Sequence, residues 1–321
     1  MLDVAISQIT TPRWELSREL DRVVAHGFTK LSLWRPKLSD TTPGVAADAF
    51  RKAGVTAASL HGTGGFTGGG GRSFAESVTD AIEAIEAAAT LGGGQPPPVV
   101  VLHSGCRAGH TRSHARRLVL DALATLAPLA RREGVVLAVQ PLRAAAAPGC
   151  SFLSTLDEGL DVVEACGDPS VRLAVDLWHH GDDPFVTGLL PRLAAATVLL
   201  QIADRQGPPT AAADRLPAGH GMLPLERLVA GFVDHGFSGP IVFDPVGEVV
   251  EVLGYDGVLD DVRLVADAWS VRLRRREAEA CRLGAEFGPT VAAMRPDHYR
   301  RAAAGAGSRK SQASSQAASR G

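Results

Sequence analysis

The sequence predicts a single (β/α)8 barrel, and three observations lead to this fold class. Short apolar or β-branched runs alternate with longer stretches of helical periodicity along the chain. Several of these runs are apolar throughout, as in parallel strands that are buried on both faces. The chain has 321 residues, which suits one barrel of roughly 250 residues with extensions. An open doubly wound sheet is the alternative, but Ser7-Gln8-Ile9-Thr10 stands where its glycine-rich phosphate fingerprint belongs.

The strand candidates follow one another in strict alternation with helices. They are Val4–Ile9, Lys30–Leu33, Thr56–Leu60, Val99–Leu102, Val135–Val139, Val171–Val175, Thr197–Ile202 and Pro240–Phe243. Between them, Leu16–His26 has apolar residues at i, i+4, i+7 and i+8, which is typical of a helix with one buried face. Arg112–Glu133, Thr155–Cys166 and Pro224–His235 have similar patterns, and the last stops before Gly236.

Two segments of biased composition lie outside this alternation. Gly62–Gly71 is a glycine-rich loop after the third strand, and either a cover for the active site or a flexible surface loop fits its composition. After about Arg300 the chain is small, polar and of low complexity, which predicts a disordered tail. We therefore expect a barrel over residues 1–275, a helical extension over 276–299 and a disordered tail over 300–321.

Charge and composition exclude several classes of protein. The formal net charge is -2 and the pI is about 6.6, so no strong field attracts nucleic acid or an anionic membrane. The sequence contains neither a signal peptide nor an apolar run of about 18 residues, so we expect a cytoplasmic location without membrane contact. The four cysteines are scattered without CxxC spacing, which argues against a zinc knuckle or a redox pair. The oligomeric state stays open.

Polar or ionisable side chains follow almost every predicted strand, where the βα loops of a barrel build its active site. They are Gln8, Trp34 with Arg35, His61, His103, Gln140, Asp176 with His179, Gln201 with Asp204, and Asp244. Randomly placed polar residues would not keep this phase, so their convergence predicts a functional pocket. Asp176 is the most informative, because it ends the apolar run LAVD, where a carboxylate is costly unless it is paired or bound to a cation.

Several of these side chains also have a structural interpretation. A histidine at a strand end, such as His61 or His103, is often satisfied by neighbouring backbone groups. Trp34 could pack at the rim, and Asp204 could form a loop ion pair with Arg205. The sequence alone leaves these alternatives open.

The order of several motifs resembles the xylose isomerase-like sugar phosphate isomerase/epimerase family. LAVDLWHH at Leu173–His180 resembles the family's sixth-strand motif, and VLLQIADR at Val198–Arg205 resembles its seventh. Asp214–Asp244 is similar to the family's closing motif, and VLAVQPL at Val136–Leu142 is similar to its fifth strand. SQITTPRW and LSLWR match its opening. The resemblance covers roughly residues 2–270 and includes hydroxypyruvate isomerase-like and tagatose/psicose epimerase-like members.

This resemblance implies a barrel that isomerises or epimerises a small carbohydrate with one divalent metal ion, such as Mn²⁺ or Mg²⁺. The family's ligands are Glu, Asp, His and Glu from strands five to eight, and the two glutamates also move protons. By position, the metal ligands become Gln140, Asp176, Gln201 and Asp244, and the catalytic pair becomes Gln140 and Asp244. The substrate-binding residues that the resemblance implies are His179, Trp34, His61, His103, Asp204 and Arg215.

Only Asp176 has the residue type that the family pattern requires. Gln201 also occurs in hydroxypyruvate isomerase-like members, and Asp244 keeps the charge on a shorter side chain. Gln140 is the main departure, because an amide can ligate through its oxygen but cannot accept a proton as a base. With two anionic ligands in place of three, we expect a weak metal site. We also expect weak or absent isomerase activity, with Asp244 as the remaining base.

Two other functions fit the same barrel. The first is a non-catalytic barrel that binds a sugar or a protein partner through its mouth, and residue 140 separates it from an active isomerase. The second is that of the apurinic endonucleases that share this fold, which need a multi-zinc cluster and a basic groove. The near-neutral charge and the glutamines at positions 140 and 201 argue against the second function.

Overall fold

The computed structural model describes residues 2–287, and its eight strands form a closed parallel barrel in chain order. The predicted fold class is therefore confirmed. The strands are β1 Val4–Ser7, β2 Lys30–Trp34, β3 Thr56–Gly64, β4 Val99–His103, β5 Leu137–Val139, β6 Val171–Asp176, β7 Thr197–Ile202 and β8 Ile241–Phe243. β1 closes the barrel by pairing in parallel with β8, with Ala5 opposite Val242.

Helices alternate with these strands. They are α1 Leu16–Ala25, α2 Pro43–Ala53, α3 Phe74–Gly92, α4 Arg112–Arg132, α5 Leu156–Cys166, α6 Leu177–His180, α7 Val186–Ala196, α8 Leu225–Asp234 and α9 Glu248–Phe287, with a short 3-10 helix at Arg35–Leu38. No helix within residues 2–287 is long and apolar enough to cross a membrane. The predicted tail and the last part of the predicted extension, residues 288–299, lie outside the described residues.

Side-chain caps fix where several helices begin. Ser73 and Thr155 precede α3 and α5, and each accepts a hydrogen bond from the backbone N–H three residues on. In return, the side chains of Glu76 and Glu158 accept hydrogen bonds from the backbone N–H groups of Ser73 and Thr155, which completes two capping boxes. These local signals agree with the apolar pattern of each helix, so the helix starts are well specified.

The inside of the barrel consists of an apolar layer below a polar layer. The apolar layer contains Ala5, Ala58, Val99, Val101, Ala138, Ala174, Leu199 and Val242. Because strand residues two apart share a face, the next inward positions on six strands carry polar groups. These are Ser7, His103, Gln140, Asp176, Gln201 and Asp244. The site is thus the top layer of the barrel core, on a floor of small and β-branched side chains.

The glycine-rich segment begins as part of β3. This strand continues to Gly64, beyond the predicted end at Leu60. A Cβ atom on Gly64 would lie 2.0 Å from the backbone oxygen of His103, and its φ of 130° also disfavours other residues. Phe66 follows with 1% of its surface exposed. The first part of this segment is therefore packed against β4, where only glycine fits.

Candidate functional site

A pocket of about 370 Å³ opens at the C-terminal ends of the strands. It contains all the predicted site residues except Asp204. The polar and aromatic residues that line it are Ser7, Trp34, His61, His103, Gln140, Asp176, His179, Gln201, Arg215 and Asp244. The pocket therefore draws side chains from all eight strands or from the loops that follow them.

Arg215 lies between the two carboxylates at the bottom of this pocket. Its Nη2 atom is 3.1 and 3.0 Å from the two carboxylate oxygens of Asp176. The same atom is 2.6 and 2.8 Å from the two oxygens of Asp244. Both aspartates are almost fully buried, with 3% and 1% of their surface exposed. One guanidinium nitrogen thus contacts all four carboxylate oxygens and supplies the positive charge that buried carboxylates need.

The backbone and a neighbouring ring hold Arg215 in this position. Its N–H donates to the Val246 oxygen at 2.8 Å, and the Val246 N–H donates back at 2.7 Å. The guanidinium carbon lies 4.9 Å from the centre of the Trp178 ring, which is within cation–π range. Trp178 is itself fixed by a 3.0 Å hydrogen bond from its Nε1 to the Asp214 oxygen. Arg215 is therefore enclosed by the ring and the two carboxylates.

Asp204 does not line the pocket, and its carboxylate contacts the backbone of its own loop. Its carboxylate accepts hydrogen bonds from the backbone N–H groups of Arg205, Gly219 and Leu223 at 2.9, 3.1 and 3.0 Å. Its own backbone pairs with Leu216 in an antiparallel bridge. With 1% of its surface exposed, Asp204 folds the loop that carries Arg215. These contacts position the loop, and the substrate contact predicted for Asp204 stays a prediction.

Three side chains form a directed hydrogen-bond chain that ends on Asp244. His103 Nε2 lies 2.8 Å from Gln140 Oε1, and an amide oxygen can only accept, so this imidazole nitrogen carries the proton. Gln140 Nε2 donates to Gln201 Oε1, and Gln201 Nε2 donates to Asp244 at 2.9 Å. Every donor points toward the carboxylate. Both amide oxygens are occupied by this chain.

His179 and His61 face the same pocket as neutral imidazoles. The Arg143 backbone N–H donates to His179 Nδ1 at 3.2 Å, which places the His179 proton on Nε2, 3.9 Å from Asp176. His61 Nε2 is 3.1 Å from the Ser59 hydroxyl. Burial lowers the pKa of His61 to about 3 and the pKa of His179 to about 4. Neither ring therefore carries charge near neutral pH.

The two aspartates differ in their affinity for protons. Burial raises the pKa of Asp244 to about 7, against the opposing attraction of Arg215. Burial also acts on Asp176, but Arg215 and the neighbouring His179 more than offset it, so its pKa lies below the ordinary value. Burial lowers the pKa of Arg215, and the two carboxylates reverse this effect and raise it above the usual range. Near neutral pH, Asp176 therefore stays ionised and forms an ion pair with Arg215, whereas Asp244 exchanges its proton in this range.

This arrangement does not fit the divalent cation that the sequence resemblance implied. Gln140, Asp176, Gln201 and Asp244 do line one pocket. However, Arg215 occupies the space between the carboxylates, and a metal ion there would meet a like charge in a poorly solvated site. Within residues 2–287, no three His, Cys, Asp or Glu side chains are grouped as a metal site.

Sequence reasoning missed the support beneath Trp34. The Trp34 backbone N–H donates to Gln8 Oε1 at 3.0 Å, and Gln8 Nε2 donates to Glu19 at 2.8 Å. Glu19 is fully buried in α1 and pairs with Lys37 at 2.7 Å. A signal existed in the sequence, because Glu19 lies three residues after Leu16, on the apolar face of the helix. A charge on that face predicts a buried partner.

The fold and the site define a (β/α)8 barrel whose polar site lies at the C-terminal ends of its strands, as in enzymes of this fold. The chain belongs to the xylose isomerase-like TIM barrel family, whose sequence model matches residues 20–258. The family predicted from the motifs is therefore confirmed. A comparison with curated protein sequences finds no match.

Solved structures share the fold at low sequence identity. Protein SMc04130 from Sinorhizobium meliloti 1021 has a TM-score of 0.71 and 24% identity, over 81% of this chain and 96% of that one. L-ribulose 3-epimerase has a TM-score of 0.71 and 17% identity, over 87% and 98%. The IolI protein with a bound zinc atom has a TM-score of 0.69 and 18% identity, over 85% and 98%. At these identities the likeness establishes the fold alone.

Proposed function

We propose that this barrel binds a small, uncharged keto-sugar or polyol in the pocket at its C-terminal mouth. The observation that supports the proposal is the set of neutral hydrogen-bonding groups around one buried ion pair. His61, His103 and His179 face the pocket uncharged, and the charge of Arg215 is already shared by two carboxylates. Such a site offers donors and acceptors to hydroxyl groups without demanding a charged ligand.

The dimensions and walls of the pocket suit a ligand of this kind. A volume of about 370 Å³ is at the small end of the range for small-molecule sites. Trp34 lines the pocket with 37% of its surface exposed, and an aromatic face of this kind can pack against the apolar C–H face of a sugar ring. The structural likeness to L-ribulose 3-epimerase supports a carbohydrate ligand.

Within this proposal, proton transfer rests on Asp244. Isomerisation or epimerisation beside a carbonyl needs one group to remove a C–H proton and a group to return it. Gln140 cannot titrate, and Asp176 is held as the ionised partner of Arg215. Asp244 lines the pocket with a pKa near 7, which suits a general base. We therefore propose slow, one-base chemistry superimposed on sugar binding.

Ligand binding is tested by calorimetric titration of ketoses and polyols against the wild type and two variants. Trp34→Ala removes the aromatic wall, and we expect affinity to fall about 3- to 10-fold. Phe185→Ala is the matched control, because Phe185 is an exposed aromatic residue outside the pocket. Absence of any heat or thermal shift across the sugar panel would remove the proposed ligand class.

Proton transfer is tested by solvent deuterium incorporation into the sugars that bind. We expect slow exchange in the wild type and a loss of about 10²- to 10⁴-fold in Asp244→Asn. Binding without exchange in the wild type would favour a barrel that binds sugar without acting on it. Fast exchange that survives Asp244→Asn would assign the chemistry to another group.

A further inference from the structure

We infer that Arg215 permanently takes the place of a divalent cation in this pocket, and that its removal leaves an oxygen-lined site for such a cation. The position of one atom carries this inference. Arg215 Nη2 lies 2.6–3.1 Å from four oxygens contributed by two side chains. That is where a cation shared by the two carboxylates would bind. The inference concerns the site of the proposed function but does not depend on its sugar.

The anchoring of Arg215 explains why the replacement is permanent. A surface arginine could swing away and admit a metal ion. Here the backbone N–H and C=O of Arg215 both form hydrogen bonds with the backbone of Val246. Its Nε also donates to the backbone oxygen of Asp244 at 3.3 Å. The guanidinium also rests on Trp178, a ring with 4% of its surface exposed. To leave, it would abandon these contacts and uncover two buried carboxylates.

The charges of the other pocket residues match a single positive ion. A divalent cation is best held by several carboxylates, whereas a guanidinium carries one charge. Gln140 and Gln201 are neutral, and Gln201 donates its amide N–H to Asp244, so neither side chain adds negative charge beside the pair. A glutamate at either position would face Asp176 and Asp244 with only Arg215 to balance three carboxylates. The two glutamines and the arginine therefore form one consistent set.

Without Arg215, the remaining donors are oxygen atoms of a kind that binds hard cations. They are the four carboxylate oxygens of Asp176 and Asp244, and Gln201, which donates its amide N–H to Asp244, adds its oxygen when that amide group rotates. Carboxylate and amide oxygens are the ligands that Ca²⁺, Mg²⁺ and Mn²⁺ prefer. The expected ligand of an arginine-free variant is thus a hard divalent cation.

The first test uses the wild-type protein with Mn²⁺ alone, followed by equilibrium dialysis and metal analysis. We expect no stoichiometric binding at concentrations up to about 1 mM, the range of weak protein sites. One tightly held Mn²⁺ per wild-type chain would overturn the inference, because the arginine would then have to vacate the site. This result needs no variant and no sugar, so it is independent of the proposed function.

The second test compares Arg215→Ala with the matched variant Arg143→Ala. Arg143 is an arginine on a neighbouring loop that pairs with Asp182 outside the carboxylate cluster. We expect Mn²⁺ to raise the melting temperature of Arg215→Ala and to bind at least tenfold more tightly than in the wild type. The double variant Arg215→Ala, Asp176→Asn should lose this gain. Equal Mn²⁺ responses in Arg215→Ala and Arg143→Ala would contradict the inference, and Arg215→Met serves if the alanine variant does not fold.

Discussion

Gln140 shows how one amide side chain both accepts and donates in this site. It accepts a hydrogen bond from His103 and donates one to Gln201, so no other side chain of similar shape satisfies both partners. A glutamate could accept from His103 but could not donate to Gln201. The glutamine that stands at position 140, where the family pattern has glutamate, is therefore one link in a complete hydrogen-bond chain.

We expect Gln140→Glu to lower the stability of the protein. The substitution breaks the bond to Gln201 and places a third carboxylate near Asp176 and Asp244, so the cost should be about 1–3 kcal/mol at neutral pH. Urea denaturation followed by circular dichroism measures this change. Gln95→Glu makes the same substitution at an exposed residue that does not line this pocket and should be nearly neutral. An equal stability for both variants would show that the chain contributes little.

Most of the residues predicted from the sequence line one pocket, but the sequence did not predict the contacts between them. The phase of the strands predicted which side chains meet at the mouth, because parallel strands in a barrel present their C-terminal ends together. The pairing of Arg215 with Asp176 and Asp244 could not be predicted in this way, since the partners are 39 and 29 residues apart and Arg215 lies in an irregular loop after β7. The structure places Arg215 on the two carboxylates at the wall of the pocket, and the substrate contact that the resemblance implied for it stays a prediction.

Among the elements, α1 depends on a buried ion pair for its attachment to the barrel. Glu19 on α1 accepts hydrogen bonds from Gln8 and Thr11 at the end of β1 and from Lys37 in the 3-10 helix. Both charged side chains are buried, with exposed side-chain fractions of 0% and 8%. The pair therefore links three segments beneath Trp34.

Replacement of Lys37 should show how strongly the stability of the protein depends on this buried ion pair. Lys37→Met leaves Glu19 buried without its positive partner, so we expect a loss of about 3–5 kcal/mol in the free energy of unfolding. The double variant Lys37→Met, Glu19→Gln should recover part of this loss, because no uncompensated charge remains. Chemical denaturation of the single and double variants gives both values.

An exposed pair of the same kind provides the control for this experiment. Arg51 and Asp48 form an ion pair with 68% and 61% of their side chains exposed. Arg51→Met should change the free energy of unfolding by about 0–1 kcal/mol. A loss for Lys37→Met that is no larger than this would show that Glu19 takes up a proton or reaches water when its partner is removed.

The first and last residues of several helices and strands were predicted correctly or within one residue, and the early start predicted for β5 has a local cause. β7 begins and ends at the predicted residues, and α1 ends one residue before the predicted end. β5 begins at Leu137 rather than Val135. The reason is that Gly134 adopts a positive φ of 67°, and the Val135 N–H bonds back to Ala130 at the end of α4. An apolar side chain there completes the helix end instead of starting the strand.

At the scale of the whole molecule, alternation and length were sufficient to predict closure of the barrel. An open doubly wound sheet has unpaired edge strands and reverses its strand order partway, whereas here the strands pair in chain order and β1 pairs with β8. Small inward residues such as Ala5, Ala138 and Ala174 fill a narrow interior, which a closed barrel provides. The alternation of strands and helices could not predict that an arginine takes the place of the expected metal, because a barrel with a metal ion and a barrel with an arginine have the same apolar core.

Neutral histidines at the mouth should make the global stability depend on pH. The pKa of His61 lies at about 3 and that of His179 at about 4, whereas an unfolded histidine titrates near about 6.5. Between these values the unfolded chain binds protons that the folded chain does not. The free energy of unfolding contributed by these groups is therefore fully present above about pH 6.5 and falls as the pH is lowered toward 4. Asp244, with a pKa raised to about 7, acts in the opposite direction over the same window.

A comparison of variants isolates the histidine contribution from that of Asp244. We expect the difference in free energy of unfolding between the wild type and His61→Asn to shrink steadily between about pH 6.5 and pH 4, because only the wild type keeps His61 uncharged at a growing cost. Urea denaturation at four pH values across this window measures the difference. His235→Asn, which changes an exposed histidine outside the pocket, should run parallel to the wild type. A constant difference for His61→Asn would mean that this imidazole takes up its proton at the same pH in the folded and the unfolded protein, so burial would not keep the pocket uncharged as the sugar-binding proposal requires.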